Sequence, residues 1–226
     1  MEERITREIG YALYGLLAER PMVAVFGSAR ARGGSPAYVA AEQMARSLGQ
    51  AGFGVITGGG PGIMEAANRG AREVGTPSLG ASIILPHEQT GNRFLDRELR
   101  FSYFFARKLA LIRSSCGFLC FPGGFGTLDE LFEALTLIQT EKLPHFPIVL
   151  FGSAYWGGLV EWMTETMVDS GAIAARDRGL LLVTDEPAVA IERFRACHHT
   201  LCATLGPGPH YPESSPVDKE AFHGHG

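Results

Sequence analysis

Residues 118–139 combine a glycine-rich turn with two carboxylates, a set that could act on a phosphorylated ligand. An apolar run, then Pro-Gly-Gly-Phe-Gly-Thr-Leu-Asp-Glu over residues 122–130, predicts a strand, a turn and an amphipathic helix. Turn glycines let a ligand approach the backbone, and the free N–H groups of a first helical turn favour phosphate. We expect Asp129 and Glu130 in that first turn, where they either stabilise the helix dipole or act on a bound phosphate ester. The helix positions expected to face the sheet are Leu128, Leu131, Phe132, Leu135 and Ile138.

Length and composition limit the class of protein. The 226 residues are enough for one large domain or two small ones, and 46% are hydrophobic, which suffices for a sizeable core. A net charge of −4, with acidic and basic residues interspersed, argues against a nucleic-acid partner. No apolar run reaches membrane-spanning length and the N-terminus lacks a signal-peptide core, so we expect a cytoplasmic protein with no membrane partner. The four cysteines lack zinc-knuckle spacing, and we expect neither metal nor cofactor.

Predicted strands and helices alternate along the chain. The strands are predicted over residues 22–26, 54–57, 79–84, 99–103, 118–121, 147–151 and 180–183. The helices are predicted over residues 2–19, 36–50, 63–71, 104–113, 155–170 and 186–200, with another ending near Gln139. This alternation predicts an α/β fold, a doubly wound, mostly parallel Rossmann-like sheet with helices on both faces.

The chain is expected to form a single main domain. An N-terminal helix within residues 1–20 precedes a Rossmann-like nucleotide-binding domain over residues 21–205, and residues 206–226 are expected to be disordered because prolines, glycines and polar residues predominate there. A polar loop over residues 86–100 is long enough to be functional. Arg107 and Lys108 lie near the start of a predicted helix, where cations oppose the dipole, so we expect an acidic or anionic group nearby.

Three glycine turns follow predicted strands, at residues 27–30, 58–62 and 122–126. In a doubly wound sheet these turns share the edge that binds ligands, at the point where the strand order reverses. The first turn lacks Gly-x-Gly-x-x-Gly, no acidic residue ends the second strand, and the P-loop pattern is absent, which argues against a dinucleotide or a nucleoside triphosphate. A smaller phosphate ligand, such as a nucleoside monophosphate, fits several separate turns better.

Residues 122–130 resemble the Pro-Gly-Gly-x-Gly-Thr-x-x-Glu signature of the Lonely-Guy family, phosphoribohydrolases of cytokinin riboside 5′-monophosphates that were long called lysine decarboxylases. Residues 58–65 look like the family's second glycine turn, and residues 104–108 are similar to its Met-His-x-Arg-Lys box. The resemblance extends over about residues 22–170. It implies a Rossmann-like homodimer, or a higher homo-oligomer, that cleaves a nucleoside 5′-monophosphate into free base and ribose 5-phosphate.

The resemblance also implies residue roles. Glu130 and Arg107 match the family's catalytic residues, Lys108 matches the second basic residue of the box, and Glu88 lies where the family has a substrate-contacting glutamate. The other residues expected to bind substrate belong to the glycine turns or follow them: Gly27, Ser28, Gly59, Gly60, Met64, Gly123, Gly124, Phe125, Gly126 and Thr127. Alternatives stay open for three residues, because Arg107 could form a structural salt bridge, Ser28 could cap its turn, and Met64 could belong to the core.

The chain departs from the family pattern at Phe104 and Phe105, which replace Met-His. The preferred base is therefore open between a cytokinin and an ordinary purine such as that of AMP. One alternative function is a carrier that binds a nucleotide or a pterin cofactor without hydrolysing it. A pyridoxal-phosphate decarboxylase would need a Schiff-base lysine, and neither Lys108 nor Lys142 lies in a recognisable cofactor context.

Overall fold

The computed structural model describes residues 2–14, 21–84, 91–143 and 146–205, with backbone alone for residues 200–205. Its strands are β1 (Met22–Phe26), β2 (Gly54–Thr57), β3 (Ser78–Ile83), β4 (Arg97–Phe101), β5 (Phe118–Cys120), β6 (Ile148–Phe151) and β7 (Leu181–Thr184). They form one sheet in the order β4-β3-β2-β1-β5-β6-β7, and every neighbouring pair is parallel. The predicted doubly wound parallel sheet is confirmed.

Helices follow the strands along the chain, except that β4 is the next described element after β3. They are α1 (Glu2–Tyr14), α2 (Pro36–Gln50), α3 (Ile63–Glu73), α4 (Phe104–Arg113), α5 (Phe125–Gln139), α6 (Ser153–Trp162) and α7 (Pro187–Leu205). A π-helical turn (Met163–Met167) continues α6, and a 3-10 helix (Ala175–Leu180) precedes β7. Local sequence explains some of these starts: Ser35 caps α2 with its hydroxyl, and proline follows at the first helical position, where its missing N–H costs nothing.

The core has two layers, one on each face of the sheet. All five residues of β1 are buried, and alternate positions enter opposite layers. Phe26 packs with Phe118 and Phe146 in the layer that includes α4 and α5, whereas Val25 belongs to the layer that includes α2 and α3. A central strand covered on both faces holds the turns at its carboxyl end in fixed positions.

The strand order reverses between β1 and β5. Here the turns that follow the two strands are joined by hydrogen bonds, from Phe121 N to Phe26 O at 2.8 Å and from Ser28 N to Pro122 O at 3.0 Å. This junction is where a doubly wound sheet binds ligands. The fold therefore brings the first and third predicted glycine turns into direct contact.

Some sequence predictions fall outside the described residues or differ from the structure. The end of the predicted first helix, the loop position of Glu88 and the predicted tail all lie outside the described residues. Of the α5 positions predicted to face the sheet, Leu128 and Phe132 are only half-buried: both pack against the core and also line an open groove beside α5. Across the described ranges, no helix is long and apolar enough to cross a membrane, and no group of three His, Cys, Asp or Glu side chains could hold a metal ion.

Candidate active site

The glycine turn after β5 leads directly into α5, which begins at Phe125 with Gly124 as its cap. No side chain caps this end, and the first turn carries no acidic residue. The expectation that Asp129 and Glu130 occupy the first turn was therefore wrong, because the helix begins four residues before Asp129 and places both carboxylates in the second turn. The dipole-stabilising interpretation loses its basis. Thr127 N donates to Gly124 O at 3.0 Å, and the N–H groups of Phe125 and Gly126 stay available to an anion.

Glu130 is a buried carboxylate at this site, with 1% of the residue exposed. Its Oε1 lies 3.3 Å from Nη2 of Arg107, and its Oε2 is buried without a hydrogen-bond partner among the described residues. Burial raises the pKa of Glu130 to about 7, although the charges of Arg107 and Lys108 lower it. An oxygen that lacks a partner at this depth is costly, and such groups concentrate at functional sites.

Arg107 on α4 lies between Glu130 and the second glycine turn. Its guanidinium carbon lies 5.1 Å from the centre of the Phe104 ring, and its Nη1 lies 4.0 Å from the position that a Cβ on Gly58 would take. Its Nε is buried and has no hydrogen-bond partner within the described ranges. Arg107 therefore forms the ion pair with Glu130 and still has a donor left for a ligand.

Lys108 points to other carboxylates. Its Nζ lies 2.8 Å from Asp129 and 2.9 Å from Glu133, both on α5. Burial lowers the pKa of Lys108, but the bonds to Asp129 and Glu133 outweigh burial and raise it. The described geometry thus gives Lys108 the role of joining α4 to α5, and its predicted contact with substrate stays a prediction.

Two of the turn glycines are required by packing. A Cβ on Gly27 would lie 2.6 Å from Cγ2 of Ile63, at the start of α3. A Cβ on Gly123 would lie 2.1 Å from Oγ1 of Thr127 and 3.1 Å from the carbonyl carbon of Gly27. Glycine at both positions lets the turns after β1 and β5 pack against each other. At Gly123 it also makes room for the side chain of Thr127.

The outer part of the same turn is open. A Cβ on Gly124 or Gly126 would meet no atom within 4 Å, and Phe125 between them is 91% exposed. Ser28 Oγ accepts a hydrogen bond from Arg30 N at 3.1 Å, so Ser28 caps its turn, as one of its two interpretations predicted. Its own O–H remains able to donate, and the open backbone beside it leaves room for a phosphate.

A buried polar network holds the second glycine turn. Gly59 N donates to Thr57 Oγ1 at 2.9 Å, and Thr57 Oγ1 donates to the fully buried Asn68 at 2.7 Å. The side chain of Asn92 donates to the carbonyls of Gly59 at 3.2 Å and Gly60 at 3.1 Å. Sequence reasoning missed Asn68 and Asn92, since only the fold brings their amides to the turn.

Met64 lies against this second turn. A Cβ on Gly58 would be 2.9 Å from its Sδ, and a Cβ on Gly60 would be 2.8 Å from its Cε. The residue is half-buried. Met64 therefore packs against the turn, and its predicted contact with the base stays a prediction.

Tyr155 is a further site residue that sequence reasoning missed. Its hydroxyl donates to the carbonyl of Gly123 at 2.6 Å and so fixes the turn before α5. A signal was present, because Gly152 follows β6 with φ of 109° and opens α6 in a fourth strand–glycine–helix turn. That turn lies at the same carboxyl edge of the sheet.

The sheet, the glycine turns at its switch point and the buried carboxylate define a Rossmann-like protein with a candidate site for a small phosphorylated ligand. A family model described as "Possible lysine decarboxylase" matches residues 64–194, more than half of the chain. The chain belongs to this family, which includes the Lonely-Guy proteins, and the resemblance inferred from sequence is confirmed.

The curated relatives that are similar in sequence are named for the same activity. A cytokinin riboside 5′-monophosphate phosphoribohydrolase of Arabidopsis thaliana is 27% identical over 158 residues, covering 67% of this chain and 72% of the relative. An identically described protein of Mycobacterium tuberculosis is 28% identical over 171 residues, covering 72% of this chain and 88% of the relative. Among solved structures, the molybdenum cofactor carrier protein of Chlamydomonas reinhardtii aligns with a TM-score of 0.59 and 23% identity over 80% of this chain and 99% of its own. That likeness shows the shared fold.

Proposed function

We propose that the protein hydrolyses the N-glycosidic bond of a nucleoside 5′-monophosphate and releases the free base and ribose 5-phosphate. The observation that carries the proposal is the buried Glu130 carboxylate, paired through one oxygen with Arg107 and unpartnered at the other within the described residues. The names of the curated relatives support the same reaction.

The glycine turn supplies the binding step. The phosphate lies at the first turn of α5, where the N–H groups of Phe125 and Gly126 carry no acidic neighbour from that turn. Tyr155 and the packing of Gly123 hold this turn in place. Because the phosphate is remote from the bond that breaks, its binding energy orients the ribose for reaction.

The chemical step uses the buried carboxylate. As the bond between the anomeric carbon and the base nitrogen breaks, positive charge develops on the ribose ring, and a negative Glu130 stabilises it. A water oxygen then bonds to the anomeric carbon and its proton passes to Glu130. The electron pair of the broken bond stays on the base nitrogen, which takes up a proton from solvent, and Glu130 afterwards releases its proton to solvent, so that one water is consumed in all. The charge of Arg107 lowers the pKa of Glu130 and so favours the ionised carboxylate before this step, and the ion pair orients it.

The rate should depend on the ionisation of Glu130. Because burial raises its pKa to about 7, we expect kcat to fall as the pH drops through about 7, where the carboxylate takes up a proton and loses its charge. A kcat profile from pH 5 to pH 9 measures this acidic limb. A profile that stays flat down to pH 5 would contradict the carboxylate role.

The substrate assignment is tested by product analysis. Purified protein is incubated with AMP, GMP and isopentenyladenosine 5′-monophosphate, and the free base is separated by chromatography. Release of a base from at least one of them is the expected result. The rings of Phe104 and Phe105 near Arg107 are half-exposed and occupy the positions where the family pattern has Met-His. The comparison of bases therefore also shows whether this difference changes the preferred base.

The carrier alternative is separated by the same assay. A cofactor or nucleotide carrier would use the glycine turns for binding, but it would have no catalytic role for the buried carboxylate. Saturable nucleotide binding by calorimetry, together with no release of base from any of the three nucleotides, would favour the carrier over the hydrolase.

We also propose that the protein forms a homodimer through a surface beside α5. Phe125, Leu128, Phe132 and Leu137 line an open groove there, with a volume of about 590 Å³, next to the glycine turn. Apolar side chains in such an exposed groove favour a second copy of the chain as occupant. Light scattering should give a dimer mass for the native protein and a monomer mass for Phe132→Glu. A monomeric native protein would contradict the proposal.

A further inference from the structure

The start of α4 is capped by a side chain from another element. Tyr103, which precedes the helix, makes no side-chain cap of its own. Instead, both carboxylate oxygens of Glu8 on α1 lie 3.0 Å from Ser102 N, and Oε2 also accepts from Tyr103 N at 3.1 Å. Glu8 is buried, with 6% of the residue exposed. A glutamate of the first helix thus accepts hydrogen bonds from the backbone of the two residues that lead into α4.

The charge of Glu8 also suits this position. Arg107 and Lys108 follow closely on the first turn of α4, and that turn contains no acidic residue. Cations near a helix start oppose the helix dipole, whereas a carboxylate at the same end is favourable. Glu8 is therefore an acidic group of the kind that the sequence led us to expect near these cations.

The path from Glu8 to the candidate site is short. Glu8 holds the N–H of Tyr103, and the carbonyl of Tyr103 accepts the helical hydrogen bond from Arg107 N at 3.2 Å. The guanidinium of Arg107 then contacts Glu130. A displaced helix start would move Arg107 relative to α5, which holds Glu130.

We propose that Glu8 is a positioning residue that holds α4 at its start and thereby places Arg107 against Glu130. The N-terminal helix thus helps to position the residues of the site, although none of its own residues needs to contact substrate. The consequence for catalysis rests on the proposed function, whereas the consequence for the pairing of Arg107 with Glu130 does not.

The ionisation of Glu130 reports this placement. Five groups face it: Arg107 and Lys108 on α4, Asp129 and Glu133 on its own helix, and the thiol of Cys120 on β5. Of the two cations, Arg107 has the larger effect and lowers the pKa of Glu130, while burial and the two carboxylates raise it. If Arg107 moves away, its positive charge lowers the pKa of Glu130 less, and burial and the two carboxylates then raise that pKa further.

The test compares Glu8→Ala and Glu8→Gln with Glu3→Ala, which removes an exposed glutamate from the same helix. Carbon NMR of labelled glutamate carboxyls follows the titration of Glu130, whose resonance is the one missing in Glu130→Gln. We expect the midpoint to rise by about half a pH unit or more in Glu8→Ala, by less in Glu8→Gln, and not at all in Glu3→Ala. If Glu8→Ala fails to fold, Glu8→Gln decides, because its amide oxygen still accepts a hydrogen bond.

Kinetics provide the second measurement. With the nucleotide that the native protein cleaves best, kcat/KM should fall about tenfold in Glu8→Ala, and the acidic limb of kcat should move to higher pH together with the NMR midpoint. A folded Glu8 variant whose only change is a lower melting temperature would overturn the inference. A native protein that releases no base would overturn the proposed function alone, because the NMR comparison needs no activity.

Discussion

Glu130→Gln should bind nucleoside monophosphates as well as the native protein does and release base at least about a thousandfold more slowly. The amide keeps the shape of the side chain, but it carries no negative charge for the developing cation and cannot accept a proton from water. Binding by calorimetry and base release by chromatography are measured on the same preparation. Native turnover in this variant would remove the catalytic assignment.

The control for this variant is Glu141→Gln, which changes an exposed glutamate just beyond the end of α5 and should leave turnover unchanged. Stability gives an independent check. A carboxyl whose pKa is raised to about 7 by burial binds its proton more tightly in the folded protein, so its contribution to stability is present at low pH and is lost as the pH rises to about 7. The melting temperature of Glu130→Gln should therefore exceed the native value by more at pH 8 than at pH 5.

Arg107→Ala should lower kcat/KM by about a hundredfold to a thousandfold. The substitution removes the cation that orients Glu130 and the free donor that is available to a ligand. It should also move the acidic limb of kcat to higher pH, because the charge of Arg107 lowers the pKa of Glu130. The pH profile separates this outcome from a simple loss of stability.

Arg107→Lys tests the same residue more finely. It keeps the charge but loses the planar set of donors. Compared with Arg107→Ala, we therefore expect the acidic limb of kcat to return towards its native pH, while kcat/KM recovers less. Arg100→Ala, an exposed arginine on the edge strand β4, serves as the matched control. If Arg107→Ala lowers the melting temperature while kcat/KM and the pH profile stay native, Arg107 is a structural salt bridge.

Much of the architecture follows from local patterns. Apolar runs of strand length alternate with amphipathic helices, and this alternation is sufficient to predict a parallel sheet covered on both faces. Glycine at the ends of β1, β2 and β5 marks the ligand edge, since these turns need close backbone approach. The residues Glu130 and Arg107 are also identified by the sequence, because their spacing within two motifs resembles one family.

What the site can do chemically was decided by tertiary structure. Burial raises the pKa of Glu130 and the charge of Arg107, 23 residues away in the chain, lowers it, and neither effect follows from the spacing of residues. The helix boundary at Phe125, which removed the first-turn interpretation of Asp129 and Glu130, depends on the conformation of the preceding turn.

Long-range polar contacts could not be predicted from the sequence either. Tyr155 holds Gly123 from a distance of 32 residues, Asn92 holds Gly59 from 33, and Glu8 reaches Ser102 from 94. Each of these side chains is an ordinary polar residue in its own segment, with no local period or motif to mark it. The sequence by itself therefore determined which elements form and which turns can meet a ligand, whereas the folded chain alone decided how deep the carboxylate lies and which side chains hold it, because burial and electrostatic coupling depend on distances in space.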